Sequence, residues 1–200
     1  MSDVRRSPLG LLTLTVLLAL PMRTLAAAPL VRNGGFESQF ADWTRWGQNA
    51  SLITLETNSP RSGACSARIQ HGHNALYFTS PLTPGQAYEL RFAYRLAGPN
   101  PAGQVALNFS KPGGGLRSAG VQIFKLAPPA GSDTAAWADF RETFLPTAIA
   151  ASAQFAFTAG NGSTLWLDDV SLRPVPRPAG LAEPTLPWEG LISQPLSMPV

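Results

Sequence analysis

Few side chains in this sequence are spaced to do covalent chemistry. Asp133, Asp139 and Glu142 lie close together in the chain, and Asp168 and Asp169 are neighbours. A carboxylate pair that shares acid–base or nucleophilic work must be held about 5 to 9.5 Å apart in one cleft. Adjacent residues of a strand point to opposite faces, so Asp168 and Asp169 do not make that pair. Nothing in the segment from Gly131 to Ala136 gathers the other three. His71 and His73 share one face and supply half of a zinc site, but no third ligand is spaced to complete it, and both read as surface residues. Cys65 is the lone cysteine and makes no internal disulfide. Its neighbours alternate small and apolar, which suits a buried small hydrophobe better than a nucleophile. Nucleophile elbow, P-loop and dinucleotide fingerprints are absent. The richest stretch is LVRNGGFESQFADWTRWG, Leu30 to Gly47, with two adjacent glycines, a glutamate and two tryptophans. It is either the start of an ordinary strand or half of a binding site.

Composition narrows the classes of function. Hydrophobic residues make up 44% of the 200-residue chain, enough for the core of one domain with tails. The 18 glycines and 19 prolines favour short strands joined by turns. The formal net charge is +3 and the isoelectric point near 9.5. Arg5, Arg6 and Arg23 fall in a segment that reads as a removable leader, and without it the chain is near neutral. The basic isoelectric point is therefore no footprint of nucleic-acid binding. The leader has Arg5 and Arg6, then an apolar run from Leu9 to Leu20 that is short for a bilayer span. Pro21 breaks the run, and Ala26, Ala27 and Ala28 offer small residues for cleavage. Residues 1–27 are read as a signal peptide, with an uncleaved anchor, supported by Arg23, as the alternative. Ser7 and Pro8 make the Arg5–Arg6 pair a weak twin-arginine match. Either way the expected location is secreted or periplasmic, with no membrane contact once the leader is cleaved.

The elements that must position any site are strands. Ala87 to Arg95 alternates with Tyr88, Leu90, Phe92 and Tyr94 on one face and Glu89, Arg91 and Arg95 on the other, a half-buried antiparallel strand. Gln104 to Ser110 turns Val105, Leu107 and Phe109 inward; Ser152 to Thr158 does the same with Phe155 and Phe157. Val121 to Leu126 is a further short strand. Trp137, Phe140 and Phe144 imply a strand with a bulge or bend. Asn161-Gly162 marks a hairpin turn before Thr164 to Leu172. Eight to ten such strands without a convincing amphipathic helix predict an all-β fold, an antiparallel β-sandwich or barrel. From Arg173 the prolines at 174, 176 and 178 read as an extended linker. Residues 28–174 are thus the module and 175–200 a proline-rich tail, whose Trp188 and Leu191 dock loosely or begin something else.

The segments NGGFE near the start and LWLDDVSL near the close, with SGACSARI, SPLTPGQAYELRFAYRL and AWADFRETFLPTA between them in that order, resemble the carbohydrate-binding modules of the CBM4/9/22 group. Those belong to the wider galactose-binding-like jelly rolls. The resemblance runs from Leu30 to about Pro174. It implies a jelly-roll β-sandwich with a structural calcium, Ca2+, at the matching positions Gly35, Glu37, Gly63 and Asp168. Calcium takes six to eight oxygens, and carboxylates mixed with backbone carbonyls suit it. Glu37 and Asp168 merely holding backbone donors at a strand end is the alternative. Of the two neighbouring aspartates, Asp168 is favoured because alternation sets it with Trp166 and Val170. Some relatives pair a cysteine at the Cys65 position with one in the last strand; here that position is Trp166.

The resemblance further implies a ligand groove on the concave sheet. Flat rings stack on the apolar face of a pyranose while amides and guanidinium groups bond its hydroxyls. In DWTRWG, Trp43 is read as core and Trp46 as the stacking ring, with ordinary packing as its alternative. Tyr77 is a second candidate ring. Arg91, Asn108, Gln154 and Thr158 are candidate polar contacts, each of which is otherwise a solvated sheet face. The expected function is a secreted, non-catalytic module for a soluble poly- or oligosaccharide. The alternatives are a cell-envelope protein-interaction jelly-roll domain, or an accessory domain of a larger glycoside hydrolase, with a protein partner or a catalytic domain reached through the tail.

Overall fold

The computed structural model describes residues 29–70, 74–129 and 136–182. The leader expected at 1–27, His71, His73, Asp133 and the tail beyond residue 182 lie outside the described residues. In chain order the strands are β1 (Thr44–Gly47), β2 (Ile53–Glu56), β3 (Ser66–Gln70), β4 (Asn74–Pro81), β5 (Ala87–Ala97), β6 (Gly103–Ser110), β7 (Val121–Leu126), β8 (Ala138–Phe144), β9 (Ser152–Ala159) and β10 (Thr164–Val175). They form two five-stranded sheets, ordered β1-β4-β9-β6-β7 and β2-β3-β10-β5-β8. All pairings are antiparallel. The result is a jelly-roll sandwich, as the alternation and the motif order predict.

Alternation sends one side of each sheet into a shared core. Val105, Leu107 and Phe109 of β6, Phe155 and Phe157 of β9, and Leu165 and Leu167 of β10 are fully buried. Phe78 stacks on Phe155 at 4.7 Å and Phe92 on Phe140 at 4.4 Å. Phe92 of β5 meets Phe157 of β9 edge-on at 5.1 Å, which joins the two sheets. Burying one such ring is worth about 1.5–3 kcal/mol. Cys65 is a free thiol, half-buried against the core, so packing rather than a disulfide holds the sandwich.

Three local details differ from the alternation. Trp137 forces no bend: β8 pairs with β5 unbroken from Ala138 to Phe144, and Trp137 precedes it with Arg95 over its ring. The bulge lies in β10 instead, where the register against β5 shifts between Asp168 and Ser171 and Asp169 takes φ +52°. One extra residue resets the pleat. Leu167 faces the core before it and Val170 after it, so Val170 does not share a face with Asp168. Third, β10 continues through Arg173 and Pro174 to Val175. β3 accompanies β10 only as far as Leu167, so β5 is its one neighbour there, and an edge tolerates a residue without N–H.

The outer face of the second sheet is rich in arginine. Trp166 lies in register between Arg68 and Arg95, whose guanidiniums sit over its ring at 5.7 and 4.3 Å. Further along, Glu89 is covered by the guanidiniums of Arg91, Arg141 and Arg173, the last two at 2.6 and 2.8 Å. Glu89 is therefore only 3% exposed although its position is outward. Its cover is charged and itself solvent-facing. Its carboxyl is held down to about 2, first by the bond from Arg91 and then by Arg141 and Arg173, against an opposing desolvation.

Candidate functional site

The registers of the first sheet lay out a groove on its outward side. Trp46 stands opposite Ala75. Tyr77 stands opposite Ala156, which faces Ala106, which faces Ile123. Gln154 faces Asn108 at one end of this row, and Thr158 faces Gln104 at the other. Two alanines therefore floor the centre of the sheet and leave the space above them open. Trp46 and Tyr77 wall one side, and Leu116 and Arg117 the other, around a cavity of about 440 Å³.

The two tryptophans of DWTRWG divide into one buried ring and one exposed ring. Trp43 is 7% exposed, donates its indole N–H to the carbonyls of Arg32 and Asn33, and packs 4.9 Å from both Phe36 and Phe78. Trp46 is 61% exposed on β1. β1 is held by β4 alone, so a large apolar ring stands at the edge of the groove with no packing reason to be there.

Five of the six expected contacts, Trp46, Tyr77, Asn108, Gln154 and Thr158, line this one groove. Arg91 does not join them. It belongs to β5 in the other sheet and bonds Glu89. Alternation separates inward from outward, but a sandwich has two outward faces, and period two does not say which one a strand supplies. The groove also contains Gln104, Leu116 and Arg117, which the sequence reading missed. Gln104 carries a signal, since it shares the outward phase of Asn108 on β6. Arg117 lies in the loop between β6 and β7 at φ +65°, where no periodicity exists to find it.

The amide side chains of the groove are bonded to one another or to a cationic neighbour. Arg117 Nε donates to Asn108 Oδ1 at 2.7 Å, and Asn108 Nδ2 donates to Gln154 Oε1 at 3.2 Å. At the other end Lys125 Nζ donates to Gln104 Oε1 at 2.7 Å. Asn108 is 2% exposed, so the links through it are sheltered from water.

A second cluster brings together the four residues expected around a metal. Glu37 accepts the Ala64 N–H at 2.9 and 3.1 Å on its two oxygens and the Cys65 N–H at 3.2 Å. Asp168 Oδ2 accepts the N–H groups of Arg61 at 2.9 Å and Ser62 at 3.2 Å, and its Oδ1 accepts that of Asp169 at 2.8 Å. Gly63 lies against Glu37, and Gly35 against Asp168. Acids from opposite ends of the chain thus clasp one short loop. Asp168 is fully buried, and desolvation pushes its carboxyl up to about 6 against the lowering effect of its backbone bonds. Asp169 is exposed and accepts the Ser62 hydroxyl at 2.6 Å. Among the described residues no three His, Cys, Asp or Glu side chains gather, so a cation here would rest on two carboxylates and backbone carbonyls.

Comparison with known proteins follows the same line. Residues 28–164 match the family model CBM_4_9, described as a carbohydrate binding domain. Among solved structures, the enzymatically active domain of bacteriophage CBA120 tailspike protein 4 aligns with a TM-score of 0.56 at 16% identity, covering 74% of this chain and 21% of that one. A family 16 carbohydrate-binding module aligns with a TM-score of 0.55 at 14% identity, over 72% of this chain and 99% of that one. The module TmCBM61, solved in complex with β-1,4-galactotriose, gives 0.51 at 15% identity, over 74% and 100%. Likeness at these identities is likeness of fold. No curated protein matches the chain. With the family model covering most of a jelly roll that carries an aromatic-walled groove, the chain belongs to the CBM_4_9 family of carbohydrate-binding domains.

Proposed function

We propose that the chain is an exported, non-catalytic module that binds a soluble oligo- or polysaccharide along the groove of its first sheet. The observation that carries this reading is the gathering of Trp46, Tyr77, Asn108, Gln154 and Thr158 around a floor of two alanines. A pyranose has an apolar C–H face for the ring and hydroxyls for the amides, and small floor residues leave it room. Among the described residues no acid lines the groove, which supports binding without acid–base chemistry. Export rests on the leader of residues 1–27, and the tail after Val175 would join the module to a catalytic domain or another partner.

Calcium at the Glu37–Asp168 cluster is part of the same proposal. The donors fit a hard cation: two carboxylates meet one loop, and Gly35 and Gly63 leave their carbonyls unobstructed by side chains. Asp168 is buried and, among the described residues, has no cationic side chain bonded to it, so a bound cation would neutralise a charge that burial disfavours. Its role would be structural, tying the first and last segments of the sandwich.

Isothermal calorimetry of the calcium-loaded domain against a panel of soluble oligosaccharides tests the groove. Binding heat that is lost in Trp46→Ala, with thermal stability intact, is the expected outcome. Absence of heat with every glycan would transfer the groove to a protein partner.

A further inference from the structure

The hydrogen bonds inside the groove restrict what its free polar groups can offer. Lys125 Nζ and Arg117 Nε have protons and no lone pair, so each can only donate. Gln104 must therefore present Oε1 to Lys125, and Asn108 must present Oδ1 to Arg117. Asn108 then has only its Nδ2 for Gln154, which must answer with Oε1. The orientation of all three amides follows from the two cations. Each amide oxygen already accepts one internal bond, and the groups with protons left for a ligand are the Nε2 groups of Gln104 and Gln154 and the remaining N–H groups of Arg117 and Lys125. The hydroxyls of Tyr77 and Thr158 donate or accept as needed.

The charge is one-sided as well. Among the described residues the groove has Arg117 in its lining and no acid. It continues past Gln104 and Thr158 into an adjoining cavity of about 250 Å³ that Lys125 also lines. The two cations bond Asn108 and Gln104, positions that lie roughly 13 Å apart along β6. Arg117 is fixed there at φ +65°, a backbone state costly for a residue with a side chain. Its loop is pinned: Ala119 N–H donates to Phe109 O at 3.0 Å, and Thr147 Oγ1 to Ala119 O at 2.9 Å. Neutral sugar hydroxyls need acceptors for their protons as well as donors for their oxygens. In this groove each amide oxygen already has one internal donor, so the open donors outnumber the open acceptors.

We infer that the groove selects an anionic glycan, one whose sugar rings carry carboxylates, with Arg117 and Lys125 as the residues that set the preference. The inference rests on the glycan-binding reading of the same groove. A carboxylate meets the guanidinium fork of Arg117 in paired N–H···O bonds, and Gln154 Nε2 donates beside it. Trp46 and Tyr77 hold the ring, and Lys125 meets a second acidic residue of the same chain further along.

The test compares each acidic polysaccharide with its own carboxyl-reduced form, so that backbone and linkage are constant. Polygalacturonate, alginate and glucuronoxylan serve as probes, measured by affinity electrophoresis and calorimetry at low and high salt. The expected result is at least about tenfold tighter binding of one acidic form than of its reduced partner. That preference should shrink with salt. Arg117→Gln should reduce it, and Arg117→Lys should restore it only in part because the paired geometry is lost. Melting temperatures of the variants establish that the fold is retained, and Lys125→Gln, at an exposed position, gives a second route. Equal or tighter binding of the reduced forms, lost in Trp46→Ala, would overturn the anionic preference while leaving the glycan site in place. No binding of either form would remove the glycan site and the inference with it.

Discussion

Trp43 and Trp46 are three residues apart, one buried and the other exposed. Trp43→Ala removes a ring packed on three phenylalanines and bonded through its indole, and should cost about 3–5 kcal/mol by chemical denaturation. Trp46→Ala should fall within about 0.5 kcal/mol of the parent, since the ring is 61% exposed, while ligand binding is lost. A large loss of stability at Trp46 would make it a packing residue and weaken the groove reading. The burial of Trp43 and the exposure of Trp46 follow the sequence reading, and the ligand role of Trp46 is what the variant tests. Arg91 was misplaced for a physical reason: its outward phase was right, but the outward face of β5 belongs to the other sheet, where Glu89 occupies it. Glu89 has a consequence in acid. Its folded carboxyl titrates near 2, below the ordinary 4.5, so its contribution is present above pH 4.5 and is lost as the pH falls toward 2. Thermal melts between pH 5 and 2 should show wild type losing stability faster than Glu89→Gln. The gap should narrow at high salt because the three arginines are 41 to 65% exposed. Parallel curves would mean that the cluster adds nothing.

Elements were read well where alternation persists and poorly where one residue interrupts it. β5, β6 and β9 follow period two along their length, and the sequence places them within a residue or two. β10 does not, because its bulge at Asp168–Asp169 adds a residue that no composition signal marks. The favoured ligand among the two aspartates was nevertheless the buried one, for a different reason: the loop at 61–62 covers Asp168 with two N–H bonds. That loop depends on Gly63, at φ +61°, where an added Cβ would come within 2.2 Å of Glu37 Oε1. Gly85 is the matched control, at φ +76° with nothing near its Cβ position. Gly85→Ala should cost about 1 kcal/mol for the backbone alone, and Gly63→Ala about 1–3 kcal/mol because Glu37 must also move. Equal costs would show that Glu37 is free to swing away and does not brace the loop.

For the whole molecule the decisive feature is that Glu37, near the start, and Asp168, near the close, hold the same loop. No periodicity predicts that contact; it was legible only through the order of motifs shared with a family. Such a clasp is where a cation has most effect, because the unfolded chain cannot present both acids together. Calcium bound only to the folded state stabilises it by about 2.7 kcal/mol at a hundredfold excess over its dissociation constant. For a domain of this size that is a rise in melting temperature of about 5–10 °C. Scanning calorimetry with millimolar calcium and with chelator should resolve it. Magnesium should do less, since it gives up its waters reluctantly. Asp168→Asn should melt at one temperature in both buffers. The calcium increment should be larger at pH 7 than at pH 5, because a cation would need the ionised carboxylates and burial pushes the Asp168 carboxyl up to about 6. Identical melting with calcium and chelator at pH 7 would leave the two acids with the backbone N–H groups as their partners among the described residues. The clasp would then be a purely hydrogen-bonded one, with the buried charge of Asp168 a standing cost that the aromatic core offsets.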